Sequence, residues 1–204
     1  MDPSDRHRYP PSLPAAHRAF LEGALPVLAA QERLLGVAAA GSFADDRMDA
    51  HSDLDLVLCC EPDDHAALLH EGRAIAAGLG RLVAAFTGEH VGEPRLLICL
   101  YGPPALHVDL KLVRVDDLAS RDDNPVVLWE RGDRLTRALA AGTPHQRGPD
   151  RQWIEDRFWV WVHYAASRLA RGELQEVVDF LSFLRVTVLG PLALEEAGAK
   201  PYGA

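Results

Sequence analysis

Between Leu34 and Leu58 the chain moves through a short, demanding pattern. An apolar run, Leu34 to Ala40, enters a Gly41-Ser42 turn. A polar, acidic loop follows, and Asp53-Leu54-Asp55-Leu56 then opens a second apolar run. Residues two apart on a strand project to the same face, so Asp53 and Asp55 point together while Leu54 and Leu56 face a core. Carboxylates held side by side repel one another, and the pair is costly unless a cation lies between them. Oxygen ligands of this kind suit Mg²⁺. The Gly-Ser turn offers backbone N–H groups and a hydroxyl, the equipment for holding phosphate. One strand–turn–strand segment thus carries a phosphate seat and a divalent-metal seat.

Gly41, Ser42, Asp53 and Asp55, with Ser52 just ahead of the acidic pair, resemble the signature of the polymerase-β-like nucleotidyltransferase superfamily. Within it the segment looks most like the small bacterial enzymes that adenylylate aminoglycoside and lincosamide antibiotics. The resemblance implies a third carboxylate on a later strand, and His107-Val108-Asp109-Leu110-Lys111 offers Asp109. It further implies transfer of a nucleoside monophosphate from a nucleoside triphosphate, ATP being expected, to a hydroxyl of a small molecule. On that basis Asp53, Asp55 and Asp109 are the expected catalytic residues and Mg²⁺ ligands. Gly41, Ser42 and Lys111 are the expected nucleotide contacts. Asp109 either completes a second metal site or takes the acceptor's proton. Lys111 either touches the triphosphate or is ion-paired, and His107 is read as structural.

The loop departs from the family pattern. Relatives commonly carry Arg-Gly where this chain has Asp45-Asp46, and Arg47 stands one position beyond. Asp45, Asp46 and Asp49 add negative charge near the expected triphosphate, which keeps open a non-catalytic binding module with the same fold. A second alternative is a protein-modifying, antitoxin-type transferase. Minimal enzymes of that kind generally lack a helical tail, so chain length favours a small-molecule acceptor. Some relatives place a general base on a glutamate near Glu89 or Glu93. The competing reading for both is a solvated loop residue, and Glu130 has similar standing with less support. His51 is expected to cap the loop.

Alternation and turn signals predict an α+β fold. A helix over 15–31, kinked at Pro26, precedes strands at 34–40, 53–60, 82–86, 95–101, 105–115 and 126–129, with a helix over 62–78. The turn Tyr101-Gly102-Pro103-Pro104 is short enough to make its flanking strands antiparallel. The expected core is a mixed or antiparallel nucleotidyltransferase sheet with flanking helices over 1–140. A Gly/Pro-rich linker over 141–149 leads to a small C-terminal helical domain over 150–204. There Asp150 caps a helix to about Ala170, rich in Trp153, Phe158, Trp159, Trp161 and Tyr164. A second helix over 173–189 ends at Gly190-Pro191. These side chains carry more apolar surface than a two-helix hairpin can bury, so packing across the cleft mouth or in a homodimer is expected. An aromatic stripe at helical spacing is more often core than a base-stacking surface.

Composition narrows the partners. With 21 Lys+Arg against 30 Asp+Glu the net charge is −9. No Lys/Arg cluster appears, so the counterion release that drives nucleic-acid binding is missing. A cationic, polyhydroxylated small molecule is the expected acceptor, steered by the acidic field that Glu155, Asp156, Glu173, Glu176 and Asp179 reinforce. Cys59, Cys60 and Cys99 have neither disulfide nor zinc-site spacing and read as small core residues. No apolar stretch is expected to approach the ~20 residues of a membrane helix. The polar, Pro-rich start has no signal-peptide core, so no membrane association and a cytoplasmic location are expected.

Overall fold

The structure, a computed structural model, describes residues 9–144 and 148–199. The chain divides into two compact units, Met1–His145 and Gln146–Ala204. Part of the expected linker, residues 145–147, and part of the expected N-terminal arm, residues 1–8, lie outside the described residues.

The first unit is built on a six-stranded sheet: β1 (Leu34–Ala39), β2 (Leu54–Cys60), β3 (Leu82–Gly88), β4 (Glu93–Tyr101), β5 (Leu106–Arg114) and β6 (Val126–Glu130). Their order is β3-β4-β5-β2-β1-β6. Every neighbouring pair is antiparallel except β2 and β5, which run parallel at the centre. This mixed sheet with flanking helices is the α+β architecture expected from the sequence.

The two faces of the sheet are covered differently. Helix α1 (Ala15–Ala29) buries His17, Leu21, Ala24 and Leu28, one stripe at helical spacing. After the single helical turn α2 (Gly41–Ala44), helix α3 (His65–Gly78) buries Leu68, Ile75 and Ala76. Their partners are the alternate residues Leu54, Leu56, Leu58 and Cys60 of β2 and Val108, Leu110 and Leu112 of β5. On the opposite face a smaller cluster gathers Leu35, Ala38, Cys59, Val113 and Leu118 around Leu135 of helix α4 (Arg134–Ala140). Asp55, Val57, Asp109 and Lys111 line an open cleft. The period-two pattern of β2 and β5 therefore puts leucines under the helices and charges in the cleft.

Helix α4 was not expected. Its start is capped from upstream: Glu130 accepts from Leu135 N–H at 2.8 Å and Thr136 N–H at 3.0 Å. Glu130 thus caps this helix.

The second unit is helical. Helix α5 (Arg151–Ala170) is capped by Asp150, whose Oδ1 accepts from Trp153 N–H at 2.9 Å. Helix α6 (Leu174–Leu184) does not stop at Gly190-Pro191. A π-turn over Arg185–Leu189 carries it into α7 (Gly190–Glu196). Gly190 N–H reaches back to Arg185 O, and a Cβ at Gly190 would lie 2.8 Å from that oxygen. Pro191 has no N–H to donate, and the wider turn accommodates it without breaking the helix. The resulting 23-residue run Leu174–Glu196, with a mean hydropathy of 1.8 over its most apolar window, is long and apolar enough to cross a membrane by length and composition. The expected break at Gly190-Pro191 hid that continuity in the sequence. The core of this unit is Ile154, Leu184 and Val188 with Phe158, Trp161, Phe180 and Leu192 against them. Trp159, Tyr164, Leu181 and Val186 remain more than half exposed.

Candidate metal centre

The parallel register sets the site. Leu54 pairs with Val108 and Asp55 with Asp109. One step earlier the same register brings Asp53 beside His107. Asp53 just ahead of β2, Asp55 on it, and His107 and Asp109 on β5 thus form a four-cornered group. Asp53, His107 and Asp109 each present a ligand atom, and these atoms lie within 4.8 Å of one another. His107 Nε2 is 2.9 Å from Asp109 Oδ1, and His107 Nδ1 is 3.9 Å from Asp53 Oδ2. Despite this approach, Asp109 Oδ1 is buried and takes no regular hydrogen bond from the described residues, although His107 is close enough to favour its charged form.

Electrostatics record the crowding. Burial, then the neighbouring Asp53 and Asp109 carboxylates, push Asp55 up to about 6. Burial is also the main cause raising Asp109, partly offset by His107. Repelling carboxylates, one with an orphaned oxygen, are the donor set a hard divalent ion satisfies. The residues therefore fit the metal that the sequence reading implies.

The Gly-Ser turn abuts this group. Gly41 adopts φ +57°, and a Cβ there would stand 2.2 Å from Asp55 Oδ2. Only glycine allows the backbone so close to the carboxylate without strain. Ser42 Oγ is buried and has no hydrogen-bond partner among the described residues. The cleft in front of these groups measures about 370 Å³ and is lined by Ala40, Gly41, Asp55, Glu93, Asp109, Lys111 and Asp123 among others. A separate cavity of about 290 Å³ beside α3 is lined mainly by leucines and carries no converging carboxylates.

The remaining expected residues fall as follows. Lys111 Nζ lies 3.0 Å from Glu93 Oε2 at the cleft wall. Glu93 is held down to about 2 by its hydrogen bonds from Arg95, then by that from Lys111. Glu89 bonds to Thr87 and does not line the cleft. The loop acids are turned elsewhere. Asp45 pairs with Arg47 at 2.9 Å. Asp46 accepts from Ser12 N–H at 2.9 Å. Asp49 accepts from His51 N–H at 2.8 Å, so the loop is capped by the Asp49 carboxylate and not by the His51 ring. None of the three lines the cleft.

Two residues of the site escaped the sequence reading. Asp123 reaches Gly41 N–H at 3.1 Å, adding a carboxylate to the cleft from the loop before β6. Arg121 braces that loop through Leu118 O and Gly142 O, each at 3.1 Å. The only sequence signal was the turn-like Arg121-Asp122-Asp123-Asn124-Pro125. His107, taken as structural, stands among the carboxylates. His17 of α1 also acts at a distance: its Nε2 is 2.7 Å from Ser52 O, fixing the backbone one residue before Asp53.

No protein-family profile matches the chain, and no curated protein does. Among solved structures, a nucleotidyltransferase-like protein from Exiguobacterium sibiricum is similar at 14% identity with a TM-score of 0.34. The match covers 90% of this chain and 59% of that one, so this chain spans well under two thirds of its length.

Proposed function

We propose that this chain is a divalent-metal-dependent nucleotidyltransferase that moves a nucleoside monophosphate from a nucleoside triphosphate to a hydroxyl of a small molecule. The observation that carries the reading is the contact of Gly41 with Asp55: the phosphate-holding turn and the carboxylate group form one continuous surface. In the proposed reaction the acceptor oxygen attacks the α-phosphorus. The bond from that phosphorus to the bridging oxygen breaks, and pyrophosphate leaves. Asp53, Asp55 and Asp109 would hold the divalent ion, Mg²⁺ in the simplest case, which neutralises phosphate charge when bound. Gly41 and Ser42 would orient the terminal phosphates, the unpartnered Ser42 Oγ being free to donate to them. Lys111 would exchange Glu93 for a phosphate oxygen. Asp109 is the candidate to take the acceptor proton, because burial raises its carboxyl whereas hydrogen bonds from Arg95 lower that of Glu93.

The net charge of −9 supports a cationic, hydroxyl-rich acceptor over nucleic acid. The diversion of Asp45, Asp46 and Asp49 away from the cleft lessens the case for a non-catalytic module. Transfer of label from α-labelled ATP or another nucleotide to a panel of amino sugars, lincosamides, short RNAs and proteins tests the reading, with Asp55→Asn as control. Labelled amino sugar or lincosamide is expected in the wild type alone. Labelling of RNA alone refutes the acceptor class. No labelling and no triphosphate binding refutes the activity.

A further inference from the structure

Resting on the metal-dependent reading above, we infer that His107 is a ligand of the ion and sets its identity, favouring Mn²⁺-like transition ions over Mg²⁺. The argument begins with register. The pairing of β2 with β5 puts Asp53 beside His107 and Asp55 beside Asp109, so the corner facing Asp53 is an imidazole where another carboxylate would complete an all-oxygen set. The ring is flanked by acids through both nitrogens, Nε2 toward Asp109 at 2.9 Å and Nδ1 toward Asp53 at 3.9 Å. Its side chain is 47% exposed, so it is not there to fill a core.

A hydrogen-bonded anchor would explain the histidine without an ion. That explanation serves one acid only: Nε2 stands 2.9 Å from Asp109 Oδ1, which still takes no regular hydrogen bond among the described residues, and Nδ1 at 3.9 Å is out of hydrogen-bond reach of Asp53. An ion among Asp53, His107 and Asp109 satisfies the orphaned oxygen and both neighbours together, and their ligand atoms already lie within 4.8 Å of one another. Ligand type then decides selectivity. Mg²⁺ is hard, holds its waters and takes oxygen donors. Imidazole suits borderline transition ions and follows their rising affinity order. Replacing one oxygen corner by nitrogen therefore costs Mg²⁺ more than it costs Mn²⁺.

The experiment uses the full chain without nucleotide, so that no nitrogen comes from a base. Mn²⁺ binding is followed by electron paramagnetic resonance of the free ion, and Mg²⁺ affinity by competition. The same titrations are run on His107→Gln, which offers an oxygen donor at that corner. In the wild type, pulsed resonance of bound Mn²⁺ is expected to show modulation from a directly coordinated nitrogen, and His107→Gln is expected to lose it. The preference for Mn²⁺ over Mg²⁺ is expected to fall by about tenfold in the variant. Bound Mn²⁺ without nitrogen modulation in the wild type overturns the inference while leaving a metal-dependent transferase standing. So does a preference unchanged in His107→Gln. Failure of the wild type to bind either ion overturns both this inference and the functional reading beneath it.

Discussion

The two units of this chain solve the problem of burying apolar surface to different degrees. In the sheet unit, helices α1 and α3 close over β2 and β5, and Leu21, Leu28, Leu34, Leu54, Leu68 and Leu128 are completely buried. In the helical unit the core is Ile154, Leu184 and Val188, while Trp159 and Val160 are each 69% exposed. The well-packed unit is also the one that tolerates electrostatic conflict, with its carboxylates crowded on the open face of the sheet. A firm core on one face can hold repelling groups on the other. A thin hairpin has no such reserve, and none of the converging acids lies on it.

The largest test of this contrast is a core truncation. Leu56→Ala is expected to destabilise the sheet unit by about 2–5 kcal/mol, because the cavity left under α1 and α3 cannot collapse freely. Denaturant titration measures it, and a loss below 1 kcal/mol would show a much looser core than its burial implies.

The electrostatic half of the contrast predicts a gain. Asp55 sits near 6 in the folded protein and lower in the unfolded chain, so its charge opposes folding at neutral pH. That penalty is present above about 6, fades as the pH falls through that value, and vanishes once both states are protonated. Asp55→Asn is therefore expected to stabilise the metal-free protein at pH 7 by on the order of 2–3 kcal/mol and to flatten its stability profile between about pH 6 and 4. Added divalent ion should raise the wild type's melting temperature and leave the variant's unmoved. A destabilised variant would mean that the carboxylate is already satisfied.

Gly41→Ala comes next. The left-handed backbone and the collision with Asp55 are expected to cost about 1–3 kcal/mol in stability. Triphosphate binding, read by a ligand-induced melting shift, should be lost outright. A retained shift would separate the turn from the phosphate seat.

The smallest expected effect is the most discriminating for the helical unit. Leu181 is 58% exposed. Leu181→Ser should stay within about 0.5 kcal/mol if that face meets water. A larger loss, especially one that depends on protein concentration, would show that a partner copy covers the face in solution.

How much of this was legible in the sequence depends on the range of the interaction. The strands, the Asp150 cap and the leucine-in, carboxylate-out alternation of β2 are local patterns and could be read directly. Helix α4 could not, because its cap is Glu130, upstream of the helix, rather than a residue at the N-cap position. The continuation through Gly190-Pro191 was missed because a π-turn re-registers the backbone where the usual rule ends a helix. Asp53, Asp55 and Asp109 could be named, but their mutual placement depends on the β2–β5 register, which no local pattern states. That register brought His107 into the group. Asp123 arrives from a loop whose path is fixed by Arg121, a tertiary contact with no sequence period.

The parallel pairing of β2 with β5 has a kinetic consequence. The chain from Cys60 to Leu106 must traverse a helix and two other strands before the central pair can close. Hairpins such as β3–β4 and β4–β5 close over much shorter stretches, so the central pairing carries the greater loop entropy and is expected to form late. An ion that needs both strands then acts after the main barrier. It should slow unfolding while leaving the refolding rate nearly unchanged, a split that stopped-flow folding with and without Mn²⁺ resolves. The ion would thereby serve as a latch on a structure already assembled, lengthening the life of the folded state without helping the chain to find it.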